Sequence, residues 1–346
     1  MSISTLSLYF APRNSIHESQ RQLVNAQTEL STGRHADVSL HLGARTADAI
    51  SLRDVKDQST SVIEMAGLAS TELEITQNSL TALTNLAHQF SATLIGARNS
   101  VNGQEVVKAA AKTAMESLGA ILNVTHDGKY IFAGINTDTA PLANYSAVPL
   151  SSAKSAVDAS FLAEFGMSQN SPAVGTITAS QMDIFLNGNF STLFTPAAWS
   201  STFSTAADQN RTARLDRGYN VEVSTNANEA AFRDFTMALT MVFDSGTGAL
   251  NQAAFEKVVD KAVTMSSTAS VDMGLVQSKL GSSQKVISDF VLQLQDQNAI
   301  LTKEITALEG VDPYEVSTRI NLLTTQLEAS YSITARINKL NLMNYL

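Results

Sequence analysis

Residues able to catalyse or to hold a ligand are few in this sequence, and their spacing does not gather them. Its five histidines, His17, His35, His41, His88 and His126, form no H-E-x-x-H. That spacing would set two imidazoles on one helix face as zinc ligands, with the glutamate beside them as a general base. Without it the histidines read as solvated or capping side chains. Cysteine is absent, so neither disulfides nor thiolate metal sites can form. Gly246-Thr247-Gly248 has neither the third glycine nor the preceding strand of a dinucleotide fold, and no G-x-x-x-x-G-K occurs, so this glycine pair reads as a helix-helix turn. There is no G-x-S-x-G elbow, and the acidic residues are spread along helix faces rather than paired as a general acid and base would be. Asn123, Asn144, Asn189 and Asn210 each open an N-x-S/T triplet, as chance predicts in a chain so rich in Asn, Ser and Thr.

Composition excludes further classes. The formal charge of -9 and a pI near 5.1 leave no basic stripe to neutralise phosphates, which excludes nucleic acid as a partner. No apolar run approaches the roughly 18 residues a membrane-spanning helix needs, so membrane insertion is not expected. Met1 to Phe10 carries no charged region ahead of its apolar residues, so a cleaved secretory signal is not expected either. With 346 residues the chain can bury a sizeable core. Aromatics make up only 6% of it against 44% hydrophobic residues, which suits long helical bundles with small-residue seams.

Periodicity then gives the elements. From Gln284 to the end run two apolar stripes. Ile287, Val291, Leu294, Leu301, Ile305 and Leu308 alternate spacings of three and four, with Asn298 in the one polar slot. Asn298 either fixes register with a partner helix or meets a water. Gly310 stops this helix, and Asp312, Pro313 and Glu315 start another as cap, first helical residue and answer to the cap. Val316, Ile320, Leu323, Leu327, Ile337 and Leu340 form its stripe. The last turns carry apolar side chains that something must cover. At the other end, Ser15 to Glu18 has the form of a capping box, Ile16, Leu23 and Leu30 recur every seven residues, and Gly33 ends or bends the helix. A loop or irregular link is expected near Ala36 to Leu42. Leu73, Leu80, Ala87, Leu94 and Val101, with Leu83, Phe90 and Ala97 between them, predict a long heptad helix broken at Asn102-Gly103. Val107, Ala111, Ala114, Leu118 and Ile121 predict the return arm of a helical hairpin.

Asp127-Gly128 leads into a short strand-like run. Over residues 141–226 there is no comparable helical stripe, and Asn187-Gly188 between two apolar runs predicts a hairpin, so a β-rich module is expected here. Helical patterns resume over Asn228 to Phe243 and Ala254 to Leu280, the latter running into the C-terminal stripe. A helix from Phe255 to Glu309 would be about 80 Å long at roughly 1.5 Å per residue. The fold class expected is mainly α, a long coiled-coil-like helical bundle formed by the N- and C-terminal segments, with a β-containing insert domain in the middle. Three regions are expected, their pairing and the outward placement of the last being what the family resemblance given next implies: 1–35 with 310–346 as a terminal coiled coil, 36–140 with 227–309 as a helical rod, and 141–226 as an outward insert.

The ends also resemble a known family. Leu30-Ser31-Thr32-Gly33-Arg34 resembles the L-S-[ST]-G region of flagellins and of hook-associated protein 3. Ser332 to Ile337 with Leu340 to Leu346 resembles the closing segment of the same two. Tyr130-Ile131-Phe132-Ala133-Gly134 followed by Thr137-Asp138-Thr139-Ala140-Pro141 is similar to the signature that precedes the insert of hook-associated protein 3. The segment after Arg34 departs from the pattern, reading His35-Ala36-Asp37-Val38-Ser39.

The resemblance implies a structural, non-enzymatic flagellar subunit at the hook-filament junction, outside the cell and exported without cleavage. It also implies terminal helices paired into an inner coiled-coil layer. Expected partners are other copies of the chain in a ring, hook-associated protein 1 on the hook side, flagellin on the filament side and an export chaperone at the C-terminal helix. No cofactor or metal is expected. The residues expected to make subunit contacts are Ile16, Leu23, Leu30, Leu294, Leu301, Leu308, Ile320, Leu323, Leu327, Ile337, Leu340, Leu342 and Leu346. A flagellin is the alternative, and a hydrolase housed in the insert the remote one.

Overall fold

The computed structural model describes residues 5–216 and 218–343, with side chains described for residues 13–215 and 218–336. The chain divides into two compact units, residues 1–63 with 292–346 and residues 64–291.

The first unit holds α1 (Thr5–Thr32), the short α2 (Val38–Leu42), the start of α3 (Thr46–Ala97), the end of α10 (Gln252–Glu309) and α11 (Pro313–Met343). α1 extends ten residues ahead of Ser15, so the expected capping box lies inside the helix and starts nothing. The link expected over Ala36 to Leu42 contains α2, capped by Asp37, whose Oδ1 accepts from the Leu40 amide at 2.9 Å. Gly33 and Gly310 do end their helices. The Asp312 carboxylate accepts from the Tyr314 amide at 2.8 Å as α11 begins. Glu315 does not answer that cap, because its carboxylate takes Arg319 one turn on, at 2.9 Å.

The second unit is built on the heptads. Along α3 the buried residues are Ala66, Ala69, Leu73, Thr76, Leu80, Leu83, Ala87, Phe90, Leu94 and Ala97, alternating three and four apart. Thr76 is tolerated there because its hydroxyl donates to the Glu72 carbonyl at 2.9 Å. Val101 does not continue the stripe: the helix has ended at Ala97 and the side chain is fully exposed. α4 (Gly103–Leu122) returns with Val107, Ala111, Ala114 and Leu118 buried, as its spacing predicts. A two-residue turn at Asp127-Gly128 joins β1 (Thr125–His126) to β2 (Lys129–Tyr130).

A β-rich module was expected over residues 141–226; the segment does contain strands, but most of its regular structure is helical. Its α-helices are α5 (Ser152–Phe165), α6 (Ala179–Asn187), α7 (Asn189–Thr192) and α8 (Pro196–Thr202). Its strands are β3 (Thr212–Asp216) and β4 (Tyr219–Glu222), an antiparallel pair. Asn187-Gly188 joins α6 to α7 and is not a hairpin turn. The overlooked signal is Thr178-x-x-Gln181, a full capping box that starts α6 and commits the apolar run after it to a helix. Met182, Phe185, Leu186 and Phe190 are then buried in a string of touching rings, with Phe185 and Phe190 centred 5.6 Å apart. α9 (Ala230–Asp244) lies at the centre, with Phe232 edge-on to Phe132 and Phe235 edge-on to Phe90.

Candidate assembly surface

α1 and α11 run antiparallel. Ala26, Val316 and Leu323 are buried between them, with Leu23, Val311 and Ile320 packed around. Gln20 Nε2 donates to the Tyr331 hydroxyl at 2.7 Å farther along, so the pairing extends well beyond the turns. Ala26 is the small member of this cluster.

The two helix ends meet in a joint. The His35 amide donates to the Glu309 carbonyl at 2.9 Å, and the Val311 amide to the Gly33 carbonyl at 3.1 Å. Arg34 and Gly310 thus form an antiparallel bridge between chain reversals distant in sequence. Gly310 is required here, since a Cβ would stand 2.4 Å from the Thr306 carbonyl oxygen. Two acidic side chains seal the joint. Glu309, 1% exposed, pairs through one oxygen with Arg53 and, at 2.8 Å, with Arg34. Glu29, also buried, accepts from Arg319 at 3.0 Å and from the Ala36 amide at 3.2 Å. His35 Nδ1 lies 3.6 Å from Glu29, and its ring stacks on His41 with centroids 3.6 Å apart.

The residues expected to contact neighbouring subunits fall into four groups. Leu301, Leu323 and Leu327 are buried within the single chain, so they seal its own seams. Ile16, Leu23, Leu294, Leu308 and Ile320 are half-buried. Leu30 is 43% exposed, because the link after Gly33 folds back over Glu29 and turns that carboxylate inward instead. Ile337, Leu340, Leu342 and Leu346 lie outside the described side chains. A second apolar set stays open on the helix pair: Val24, Leu30, Leu322, Tyr331 and Ile333 are all exposed. The joint residues Glu29, Arg34, Arg53, Glu309 and Arg319 escaped sequence reasoning, since partners more than 250 residues apart leave no spacing signal. A glutamate just ahead of each terminating glycine region was the only hint.

Asn298 donates to the Thr60 hydroxyl at 3.4 Å, while its Oδ1 is buried without a hydrogen bond. In the second unit the Tyr130–Pro141 segment is structural. Ile131, Phe132 and Ala133 are buried, the Ala227 amide donates to the Phe132 carbonyl at 2.8 Å, and the Ala207 amide donates to the Ala133 carbonyl at 3.0 Å. Gly134, at φ +63°, sits where a Cβ would come 2.4 Å from the Ala207 carbonyl oxygen. This segment knots the end of α4 to α9 and to the strand hairpin.

Asn123 bonds both backbone groups of Leu142 at 2.9 Å, which gives the first N-x-S/T asparagine a packing role. Among the described residues no three His, Asp or Glu side chains gather as metal ligands, and no helix is long and apolar enough to cross a membrane. A half-open cavity of about 360 Å³ beside α4 is lined by Met115, Leu118, Tyr145 and Phe203, with Glu116 as its one charged lining residue. Near it Lys154 bridges Asp158 at 2.6 Å and Asp244 at 2.7 Å. Burial would lower the lysine, but hydrogen bonds to both carboxylates outweigh it and hold it above its ordinary range. Burial raises Tyr145, and its contact with Asp244 raises it further.

In comparison with known proteins, the model of the bacterial flagellin N-terminal helical region matches residues 3–137, and that of the C-terminal helical region matches residues 257–346. No curated protein matches by sequence. Among solved structures, a Vibrio parahaemolyticus protein described as flagellar hook-associated is similar over 77% of this chain and 97% of its own, with a TM-score of 0.53 and 10% identity. Bacillus cereus FlgL aligns over 74% of this chain and 98% of its own, with a TM-score of 0.49 and 13% identity. The two flagellin models between them cover both halves of the helical framework, including every helix of the joint, and the chain therefore belongs to the flagellin-like family of flagellar structural proteins.

Proposed function

We propose that this flagellar subunit is built to join hook to filament. The carrying observation is the apolar set left open on the α1–α11 pair after those helices have packed together. Val24 at 58%, Leu322 at 66% and Ile333 at 55% exposure repeat along helices whose other face is already sealed. A helix with two apolar faces needs a second partner, and neighbouring copies in a self-assembling flagellar structure supply one. Covering one large apolar side chain contributes on the order of 1.5–3 kcal/mol. Leu30 and the open set, with the half-buried Ile16, Leu23, Leu294, Leu308 and Ile320, would be covered first. Ile337, Leu340, Leu342 and Leu346, which lie outside the described side chains, are proposed to be covered with them.

The junction reading is favoured by the Tyr130–Pro141 signature, whose glycine is sterically obligatory here, and by the fold shared with a hook-associated protein. On this reading hook-associated protein 1 lies on one side of a ring of copies and flagellin on the other. An export chaperone covers the C-terminal helix before assembly. A mutant lacking Lys339 to Leu346 is expected to leave filaments unattached to hooks, and a sealed joint in that mutant would contradict the proposal. A flagellin is the second reading, favoured by the two matching family models. Sedimentation after salt addition separates them: long self-made fibres mark the flagellin, and their absence the junction subunit.

A further inference from the structure

We propose that the cavity beside α4 is a binding site for a small organic cation, an ammonium or guanidinium group carried on an apolar body. Its volume of about 360 Å³ lies at the lower end of the range for small-molecule sites. Met115, Leu118, Tyr145 and Phe203 supply its apolar wall and are almost wholly buried, so the body of an occupant would meet two rings, an isobutyl group and a thioether. The chain over the cavity is pinned and does not collapse into it. The Ala143 amide donates to the Phe203 carbonyl at 2.9 Å, and the Ser151 hydroxyl donates to the Tyr145 carbonyl at 2.9 Å.

The lining also selects by polarity. Most of its hydrogen-bonding capacity is already spent within the protein: the Asn123 amide on the Leu142 backbone, the Tyr145 hydroxyl on Asp244 at 2.6 Å, the Thr236 hydroxyl on the Phe232 carbonyl at 2.7 Å. A sugar or another neutral polar molecule would lose its water there and regain few partners. The one charge left is negative. Glu116 is exposed, so it stands at the open side, and among the described residues it forms no ion pair. Lys154 cannot compensate it, being held between Asp158 and Asp244. An anion is therefore repelled, whereas a cation with an apolar body meets the carboxylate at one end and the aromatic wall at the other.

The test uses the isolated full-length subunit, requires no assembly and so does not depend on the junction reading. Trp199, the one tryptophan of the chain, stacks on Phe203 with centroids 5.0 Å apart, so its fluorescence reports on the cavity wall. Phenethylamine is titrated against phenethyl alcohol and phenylpropionate, which share its ring and differ in charge. The amine is expected to change the signal saturably and to bind about five- to tenfold more tightly than the alcohol, with phenylpropionate weakest. Glu116→Gln should bring the amine down to the alcohol. Gly119 also lines the cavity, and a Cβ there meets nothing within 4 Å, so Gly119→Leu should fill the space in a folded protein and abolish binding of all three. Three results would overturn the proposal: no saturable change with the amine in the wild type, equal affinity of amine and alcohol there, or an amine response undiminished in Gly119→Leu.

Discussion

Single residues carry the sharpest expectations. Gly134→Ala places a Cβ against the Ala207 carbonyl at a positive φ, and is expected to cost at least about 2 kcal/mol, read as a lower denaturation midpoint with unchanged slope. Asp234 on α9 is raised by burial and by Asp272, with Arg233 opposing. An acid whose folded value is raised weakens the fold above that value, and the loss is recovered as pH falls toward its unfolded value. Asp234→Asn should therefore raise the Tm at pH 7, with the gain shrinking as pH falls to about 4. Lys154 has the opposite sign pattern. Its raised value means a contribution present at neutral pH and lost as pH rises through the folded value, above the ordinary lysine range. Thermal melts of wild type and Lys154→Met should thus converge at high pH. Only the Lys154–Asp158 half of these effects, an i,i+4 pair, is visible in the sequence; Ala207, Asp272 and Asp244 lie far along the chain from the residues they act on.

Elements were legible wherever one periodicity ran long enough. The α3 stripe, the α4 return and both terminating glycines follow from spacing alone, since a seam repeated over several heptads has only one helical solution. Short elements were not. Met182 to Leu186 and Phe190 to Phe194 read equally as strands or as single helical turns, and the Thr178 capping box with an aromatic core decided the matter. Position in the seam also separates leucines that look alike. Leu80→Ala, at a fully buried site, should cost about 2–5 kcal/mol by chemical denaturation, whereas Leu30→Ala, at an exposed one, should stay within about 0.5 kcal/mol. If Leu30 serves assembly, its substitution should weaken ring formation while sparing the monomer.

At the scale of the molecule, the two units differ in what holds them. Residues 64–291 share one large core with a string of aromatic rings, while the terminal helix pair rests on a small cluster and the charged joint. Heating should therefore melt the chain in more than one step, with exchange protection lost first from α1 and α11 and last from α9. A single transition with coincident probes would argue that the units unfold as one.

The amino-acid order by itself determined that the chain is mainly helical, where the long helices lie and that both ends carry apolar stripes. Those are local or periodic properties, fixed by side chains a few residues apart. Only the tertiary structure decided which face of each stripe is already sealed, that Glu29 and not Leu30 turns inward, and that two distant reversals lock through Glu309. Burial and ion pairing are set by whatever folding brings alongside, and for Glu309 that neighbour lies 256 residues away along the chain.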